Sequence, residues 1–416
     1  MSTRHIGRPT SRVDGRAKVT GTAKYVAEFH VPELVYGVVV SGSIARGTIT
    51  KIDSSAALAV RGVIEVLTHE NAPRLARRDR DHRDMVAPPG SPFRPLQGPE
   101  IVYSGQPVAL VLAESFELAR HAAGLVRVEY AEVAHETRLE AVRGEAYGPP
   151  KNKAGYKPPP RPRGNADKAF AAAAVKQDAT YTHAMTHHNP METHATTVVV
   201  EHDGTLTIHD KTQGAQNSRD YVAKVFDLPP EQVRVIAPFI GGAFGSGLRP
   251  QYQLPLAVMA AKALRRSVRV VLTRQQMFTF GYRPRVEQRL ALGSSQEGRL
   301  EAITHDTLSN TSRFEHYCEN VVPWSGVMYQ CDNVRLDYKI AQLDLYTPID
   351  MRGPGAVSGV YALECAIDEL ADKLGEDPLA LRLRNYAEHD QNKDQPFSSK
   401  ALRECYQKGA EAFGWA

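Results

Sequence analysis

The chain has 416 residues, 42% of them hydrophobic and 24% charged, and its formal net charge is +4. These values are typical of globular proteins and exclude a fibrous or largely disordered chain, while the length predicts more than one domain. The charge balance lacks the dense basic surface of a dedicated nucleic-acid-binding protein, so we expect no nucleic-acid partner.

Nothing in the sequence predicts a membrane segment. No stretch approaches about 18 consecutive apolar residues, and the N-terminal segment MSTRHIGRPTSR lacks the apolar core of a secretory signal. We therefore expect no membrane contact and a cytoplasmic location, with a periplasmic location only if the chain is exported together with a partner.

The first part of the chain predicts an arm followed by a small mixed domain. Residues 107–113 form an apolar run of strand length, residues 114–125 carry apolar side chains at helical spacing, and residues 126–130 predict a strand. The segment 157–164, KPPPRPRG, combines prolines with cations, which favours an extended linker over a polyproline ligand or a nucleic-acid contact. We assign residues 1–18 to an N-terminal arm, 19–130 to the first domain and 131–175 to a linker.

The second part of the chain predicts alternating strands and helices. Residues 195–209 read as two strands around Asp203-Gly204, a strong hairpin signal. A long helical pattern ends at Gly375, a residue type that commonly closes helices. The other predicted elements are a helix at 216–226, a strand at 233–237, a helix at 254–264, a strand at 268–272 and a hairpin over 294–299. The fold class is α+β, with the second domain at 176–395 and a tail at 396–416.

Two sets of residues suggest metal ligands at first sight. The four cysteines, Cys318, Cys331, Cys365 and Cys405, form no CxxC pair, so we expect reduced, mostly buried thiols and no zinc or iron–sulfur site on this chain. The segment HHNPMETH at 187–194 lacks the HExxH pattern, and its adjacent histidines would diverge in an extended segment. Ordinary polar pairing near a domain junction is the favoured interpretation, with a metal site as the alternative.

Two loops have residue types that suit an anion or an oxo ligand. Residues 241–247, GGAFGSG, follow a predicted strand, and glycines let backbone N–H groups approach a ligand closely. They match neither GxGxxG nor GK[ST], so a tight turn is an equal alternative. Arg352 in RGPG precedes a helix and can orient a carboxylate, carbonyl or phosphate, or it can form a surface ion pair. Residue chemistry alone does not single out the amide of Gln213.

The combination of motifs resembles the molybdenum hydroxylase family of aldehyde oxidases and xanthine dehydrogenases. RVDGRAKVTG at 12–21 and GQPVA at 105–109 are similar to that family's α/β hammerhead domain. The later motifs follow in the family's order: PMETH at 190–194, the Gln213 segment, GGAFG at 241–245, MRGPG at 351–355 and GEDPLALRLRN at 375–385. The resemblance covers nearly the whole chain and implies a hammerhead domain followed by the first molybdopterin-binding domain.

The resemblance implies a molybdopterin cofactor, whose nucleotide form, a cytosine dinucleotide included, stays open. Gln213 would hydrogen-bond an oxo group, and the backbone around Phe244 and Gly245 would approach the metal's oxygen ligand. Arg352 would lie beside the pterin and the substrate. Gln213 and Arg352 are the expected catalytic residues, and no residue is named as a direct metal ligand. The expected cofactor-binding residues are Gln213, Gly242, Ala243, Phe244, Gly245, Arg352, Gly353 and Gly355.

The implied reaction converts an aldehyde to a carboxylic acid, with water as the oxygen source and electrons leaving through iron–sulfur clusters and FAD on partner subunits. Leu248 stands where xanthine dehydrogenases have a purine-contacting glutamate, and Ile349 where carbon monoxide dehydrogenases have a copper-ligating cysteine. Both differences favour a small aldehyde as substrate. The alternatives are hydroxylation of aromatic N-heterocycles and a non-catalytic assembly or binding protein that retains the fold.

The catalytic glutamate of the family lies in a GxGE segment, which these residues do not contain. We therefore expect the C-terminal half of the molybdopterin subunit to be a partner, together with a small [2Fe–2S] subunit and an FAD-binding subunit. The chain by itself is expected to be inactive.

Overall fold

The structure, a computed structural model, describes residues 6–150 and 157–415. Within these ranges the α-helices are α1 (Gly15–Val19), α2 (Ser55–Leu58), α3 (Phe116–Ala123), α4 (Ala166–Ala172), α5 (Ala215–Val225), α6 (Gln253–Leu264), α7 (Ala356–Leu374), α8 (Pro378–Arg384) and α9 (Leu402–Phe413). The strands are β1 (Val35–Ser41), β2 (Gly47–Asp53), β3 (Val63–Thr68), β4 (Glu100–Ile101), β5 (Pro107–Ala113), β6 (Arg127–Glu132), β7 (Val175–His183), β8 (Thr186–His187), β9 (Ala195–Val200), β10 (Leu206–Asp210), β11 (Val233–Ile236), β12 (Val268–Val271), β13 (Tyr282–Arg283), β14 (Val286–Ser294), β15 (Leu300–Ser312), β16 (Val334–Leu343), β17 (His389–Asp390) and β18 (Gln395–Pro396).

A seven-stranded sheet connects the two predicted domains. Its strand order is β11-β10-β9-β12-β1-β5-β3. The strands β1, β3 and β5 come from the predicted first domain, and β1 pairs in parallel with β12, with Val35 opposite Val268. Hydrogen bonding therefore continues from one predicted domain into the other, which the sequence pattern does not reveal. The domain boundaries themselves stay a prediction.

The first domain contains the strand and the helix that its sequence predicts. Every residue of β5 is buried, as an unbroken apolar run requires. The helix α3 begins at Phe116 rather than at 114, because the side chain of Ser115 caps it by accepting a hydrogen bond from the backbone N–H of Leu118 at 3.3 Å. The predicted strand that follows is β6, which pairs with β2 in a three-stranded sheet.

A second sheet, with the order β16-β15-β14-β7, packs against α7. The buried face of α7 carries Ala362, Leu363 and Ile367, which join the core formed with this sheet. The helix ends at Gly375, whose φ of 65° is left-handed, as the sequence predicts. The predicted hairpins are present as β9–β10 and β14–β15. The predictions of α5, α6, β11 and β12 are confirmed with ends that move by a single residue.

The predicted linker is attached to the second sheet along much of its length. Leu139 and Val142 lie in a short 3-10 helix and are buried against Ala341 and Leu343 of β16. Further along, the backbone N–H of Arg163 donates to the carbonyl of Val334 at 3.1 Å, and α4 packs on the same sheet. These apolar residues would be exposed in a free extended chain, which explains why the segment packs. Residues 1–5 of the arm, 151–156 of the linker and 416 of the tail lie outside the described residues.

Burial separates the four cysteines into two groups. Cys318 and Cys331 are buried, whereas Cys365 is half-buried and Cys405 is exposed. The expectation of mostly buried thiols therefore holds for two of the four. Across residues 6–150 and 157–415, no group of three or more histidine, cysteine or acidic side chains is arranged to hold a metal ion. None of the helices in these ranges is long and apolar enough to cross a membrane.

Candidate functional site

The glycine loop, residues 241–247, lies against the arginine loop, residues 349–355, at a distance that only glycine permits. Gly245 has a φ of 114°, and a Cβ on this residue would collide with the backbone carbonyl of Asp350. Gly242 also has a left-handed φ, of 90°. The glycines therefore serve a close approach of two backbone segments as well as a turn.

Phe244 is the large exposed side chain of the glycine loop. Its backbone is in the left-handed region, with φ at 58°, and its side chain is 42% exposed. Such a conformation is unfavourable for a residue with a Cβ, and it persists only when neighbouring groups hold it. Here the backbone N–H of Arg352 donates to the carbonyl of Phe244 at 2.8 Å. The two loops therefore fix each other's backbone.

Gln213 is locked onto the glycine loop by three hydrogen bonds. Its backbone N–H donates to the carbonyl of Gly247 at 2.8 Å. Its side-chain oxygen accepts from the backbone N–H groups of Gly245 at 2.9 Å and Gly247 at 3.2 Å. Because two donors face that oxygen, the hydrogen-bond network assigns the amide's orientation and leaves its NH2 group to face away from the loop. The residue is exposed, so a ligand can reach this donor.

Arg352 is exposed and packs its guanidinium on the glycine loop. The group lies 5.4 Å from the centre of the Phe244 ring, a cation–π arrangement. No carboxylate pairs with Arg352 in the part of the chain that the structure describes, so the alternative of a surface ion pair has no support there. The sequence-selected residues Gln213, Phe244 and Arg352 are thus brought together, although 139 positions separate the first from the last.

Buried side chains hold the arginine loop from behind. Arg283, only 2% exposed, donates from Nη2 to the carbonyls of Met351 at 3.2 Å and Arg352 at 2.6 Å. The ring of His188 lies between two more backbone carbonyls, with Nδ1 at 3.0 Å from Gly281 and Nε2 at 2.9 Å from Asp350. The loop's backbone position is therefore set by residues that do not reach the exposed side.

The start of α7 closes the arginine loop. Gly355 has a φ of 72°, and a Cβ on it would collide with the backbone of Asn320. Its N–H donates to Oε2 of the buried Glu319 at 3.0 Å. Burial raises the pKa of Glu319 to about 7, while the positive charge of Arg283 opposes this rise. Gly353 also has a left-handed φ, of 67°.

Two buried charged residues precede Gln213 at the end of β10. Asp210 accepts hydrogen bonds from Oγ1 of Thr196 at 2.6 Å and Oγ of Ser218 at 2.9 Å, and burial raises its pKa to about 6. Burial lowers the pKa of Lys211 to about 8. Asp210 thereby ties the end of β10, from which Gln213 extends, to β9 and α5, and the side chains of Asp210 and Lys211 are both buried.

The segment HHNPMETH contributes support to both loops. Its ordinary polar pairing is confirmed for His188 by the two carbonyl contacts described above. Glu192 accepts from the backbone N–H of Gly241 at 2.7 Å through Oε2 and from that of Val26 at 3.3 Å through Oε1. The carboxylate thereby joins the glycine loop to the N-terminal part of the chain.

An ion-pair triad fixes the far end of the glycine loop. Arg249 contacts Asp84 at 2.8 Å and Glu315 at 2.8 Å, and both carboxylates are almost fully buried. Asp84 belongs to the predicted first domain, so this triad crosses the same junction as the shared sheet. Sequence reasoning did not select Arg249, Arg283 or Glu319. None of the three has a local sequence signal, because each acts on a segment that is distant along the chain.

Family models match both parts of the chain. Residues 149–386 match the molybdopterin cofactor-binding domain, and residues 20–134 match the aldehyde oxidase and xanthine dehydrogenase a/b hammerhead domain. The chain belongs to the aldehyde oxidase and xanthine dehydrogenase family. The resemblance and the fold class inferred from its motifs are therefore confirmed, and the two loops lie in the molybdopterin-binding part of this family member.

Individual relatives differ in how much of their length the chain covers. PaoC, an aldehyde oxidoreductase molybdenum-binding subunit of Escherichia coli O157:H7, is 38% identical over 99% of this chain and 54% of its own. The nicotinate dehydrogenase large molybdopterin subunit of Eubacterium barkeri is 26% identical over 91% of this chain and 89% of its own. The solved aldehyde oxidoreductase of Desulfovibrio gigas matches with a TM-score of 0.84 and 26% identity over 97% of this chain and 46% of its own. The chain thus spans about half the length of PaoC and of the Desulfovibrio enzyme.

Proposed function

We propose that Gln213, the glycine loop and the arginine loop form one wall of a molybdopterin site that oxidises aldehydes to carboxylic acids. The observation that carries this proposal is the locked amide of Gln213. Two backbone N–H groups occupy its oxygen, so its NH2 group faces away from the glycine loop and is available to a ligand. An acceptor such as an oxo group suits that position.

The groups on this wall fit a cofactor that bears oxo and phosphate oxygens. Gln213 offers a hydrogen-bond donor, Arg352 offers a cation with a planar fork, and the glycine loop lets a ligand approach its backbone. Together with these two side chains, we assign to the cofactor surface Gly242, Ala243, Phe244, Gly245, Gly353 and Gly355.

When bound, the molybdenum cofactor supplies the two-electron oxidation of the aldehyde carbon, with water as the source of oxygen. The NH2 group of Gln213 would donate a hydrogen bond to an oxygen of that cofactor. Arg352 orients the substrate's carbonyl oxygen, and the ring of Phe244 holds the guanidinium in place. Both donors are positioned before any ligand arrives, because the two loops fix each other's backbone.

A small aldehyde is the favoured substrate. Leu248 stands four residues after Phe244, where purine enzymes of the family carry a glutamate. Ile349 stands three residues before Arg352, where carbon monoxide enzymes of the family carry a cysteine. The names of PaoC and of the Desulfovibrio enzyme, both aldehyde oxidoreductases, support the same substrate class.

The proposed assembly contains further protein. The chain spans 54% of PaoC, and we propose that a segment corresponding to the remaining part carries the catalytic glutamate and closes the site. Aldehyde oxidation under this proposal requires that segment. In this assembly, electrons leave through a [2Fe–2S] subunit and an FAD-binding subunit. The nucleotide form of the pterin, a cytosine dinucleotide included, stays open. The proposed location is the cytoplasm.

The test is Gln213→Glu in the complex assembled with these partners. A carboxylate can accept the same two backbone N–H groups, so the glycine loop keeps its geometry, but the outward donor is lost. We expect turnover of a small aldehyde to fall by about 100-fold, the typical cost of removing one preorganised donor, with unchanged thermal stability. Gln213→Ala, the comparison variant, also removes the lock and should lose molybdenum.

Two results would contradict the proposal. Unchanged turnover in Gln213→Glu would exclude the role of this amide. A wild-type complex without molybdenum by elemental analysis would favour a non-catalytic assembly or binding protein that retains the fold.

Hydroxylation of an aromatic N-heterocycle is the second candidate function. It is supported by the similarity to the nicotinate dehydrogenase large molybdopterin subunit, which is 26% identical over 91% of this chain. Turnover of a pyridine carboxylate at a higher kcat/KM than any small aldehyde would select this function over aldehyde oxidation.

A further inference from the structure

Behind the arginine loop, the hydroxyl group of Tyr317 lies between the carboxyl groups of Glu319 and Asp350. The hydroxyl oxygen of Tyr317 is 3.3 Å from Oε1 of Glu319 and 2.8 Å from Oδ1 of Asp350. A tyrosine hydroxyl has a single proton and can donate to only one of the two carboxyl groups. The arrangement is satisfied when Glu319 is protonated and donates to Tyr317, which in turn donates to Asp350.

These three side chains touch both ends of the arginine loop. Asp350 lies two residues before Arg352, and its carbonyl packs against Gly245 and contacts the ring of His188. At the other end, Oε2 of Glu319 accepts the N–H of Gly355 at 3.0 Å. A change at Glu319 therefore reaches the backbone on either side of Arg352.

The surroundings of Glu319 bring its ionisation into the physiological range. Arg283 is the cation that acts on it, Asp350 is the facing anion, and the hydroxyl of Tyr338 on β16 contacts its backbone N–H. The first turn of α7 adds its backbone N–H but no acidic side chain. Burial outweighs the attraction of Arg283 and raises the pKa of Glu319 to about 7.

We propose that Glu319 is a positioning residue whose protonation state, passed through Tyr317 and Asp350, sets the place of Arg352. The inference rests on the proposed function for the reaction that Arg352 serves, but the relay is a property of this chain alone. With Glu319 protonated, Glu319 donates to Tyr317, Tyr317 donates to Asp350, and the arginine loop keeps its position. When Glu319 loses its proton to solvent, two carboxylates compete for the Tyr317 hydroxyl and repel each other, and the loop that carries Arg352 shifts.

The first test is the pH profile of the assembled enzyme. In the wild type we expect KM for the aldehyde to rise by about two- to tenfold as pH increases from 6 to 8, the range that one hydrogen bond contributes, with a smaller change in kcat. Glu319→Gln imitates the protonated acid, because its amide can donate to Tyr317 and accept from Gly355. This variant should keep the low KM across the whole range, and a profile parallel to the wild type would overturn the proposal.

Tyr317→Phe is the second variant, in case Glu319→Gln folds poorly. It interrupts the relay while retaining Glu319, so we expect a raised KM that no longer depends on pH between 6 and 8. A wild-type pH dependence in this variant would overturn the relay.

The second test does not depend on activity. Trp324 and Trp415 are the two tryptophans of the chain, and the indole N–H of Trp324 donates to the carbonyl of Asn320, next to Glu319, at 2.8 Å. With Trp415→Phe as background, we expect the emission of Trp324 to titrate near pH 7. Glu319→Gln should abolish this transition, whereas the control Glu369→Gln, which changes a carboxyl on α7 that accepts from Tyr181, should retain it.

The two tests separate the inference from the proposed function. A Trp324 transition that Glu319→Gln abolishes, together with no aldehyde activity in the assembled complex, would support the relay and contradict the function. Aldehyde activity in the assembled complex, with no Trp324 transition that depends on Glu319, would support the proposed function and overturn the relay.

Discussion

The two loops of the site are held in different ways. The glycine loop keeps its shape through backbone hydrogen bonds and through positions where a Cβ has no room, as at Gly245. The arginine loop keeps its shape through the buried polar side chains of Arg283, His188 and Glu319. The glycine loop thus depends mainly on backbone contacts, although Glu192 also accepts the N–H of Gly241. The arginine loop depends mainly on buried polar side chains, although Gly355 also has no room for a Cβ.

This difference separates two kinds of mutational effect. A substitution in the glycine loop acts through steric collision, which does not vary with pH. A substitution behind the arginine loop removes a titratable or charged group. The resulting loss in the free energy of unfolding therefore varies with pH, or depends on whether a buried partner of opposite charge remains. Substitutions at Arg249, Gly245, His188 and Arg352 test where this division holds.

The largest effect is expected at the triad, where the division should fail. Arg249 lies two residues after the glycine loop, yet it holds that end by charge, between the buried Asp84 and Glu315. Arg249→Met leaves two buried carboxylates without their cation, so we expect a loss of about 3–5 kcal/mol in the free energy of unfolding, measured by urea denaturation. Adding Asp84→Asn and Glu315→Gln should recover most of this loss, and an unrecovered loss would mean that Arg249 acts by packing alone.

Gly245→Ala should show the steric case. The new Cβ would meet the Asp350 carbonyl in a backbone with left-handed φ, and we expect a loss of about 3 kcal/mol. The matched control is Gly204→Ala, where φ is 84° but no atom lies within 4 Å, so only the backbone preference is lost, at about 1 kcal/mol. Equal losses in the free energy of unfolding of the two variants would show that the contact between Gly245 and the Asp350 carbonyl leaves room for a Cβ.

His188 tests the pH dependence of the arginine loop's support. Burial lowers the pKa of His188, so the unfolded chain binds a proton more readily below about pH 6.5 than the folded chain does. The stability that the neutral ring contributes is therefore lost as pH falls through this value. We expect His188→Asn to cost about 1–2 kcal/mol at pH 7 and clearly less at pH 5, by urea denaturation at both values. The cost of Gly245→Ala should be equal at the two pH values, and a cost of His188→Asn that is equal as well would contradict the division.

The sequence predicted the local part of this arrangement and missed the part that depends on distant residues. The strand β5, the end of α7 at Gly375 and the glycine loop follow from short-range patterns, because apolar runs and glycines act on their immediate neighbours. Neither the pairing of β1 with β12 nor the contact of Arg283 with the arginine loop has a local signature. The resemblance to a family supplied Gln213, which residue chemistry alone did not select, and the structure supplied the hydrogen bonds that orient its amide.

Arg352→Lys should have the smallest effect on stability and a clear effect on substrate binding. The Arg352 side chain is exposed and contacts the ring of Phe244, while the backbone of its loop is held from behind by Arg283 and His188. Removing the planar fork therefore leaves the frame intact, and we expect the free energy of unfolding to change by less than about 0.5 kcal/mol. Lysine retains the charge but loses the fork and the stacking, so KM for the aldehyde should rise by about tenfold in the assembled enzyme. Arg335→Lys, a change at a partly exposed arginine paired with Asp306, is the control that should leave KM unchanged. A loss in the free energy of unfolding of Arg352→Lys comparable to that of His188→Asn would mean that the exposed side chain of Arg352 helps to hold the loop. The distinction between the buried residues that hold the loop and the exposed residue that faces the ligand would then fail at Arg352.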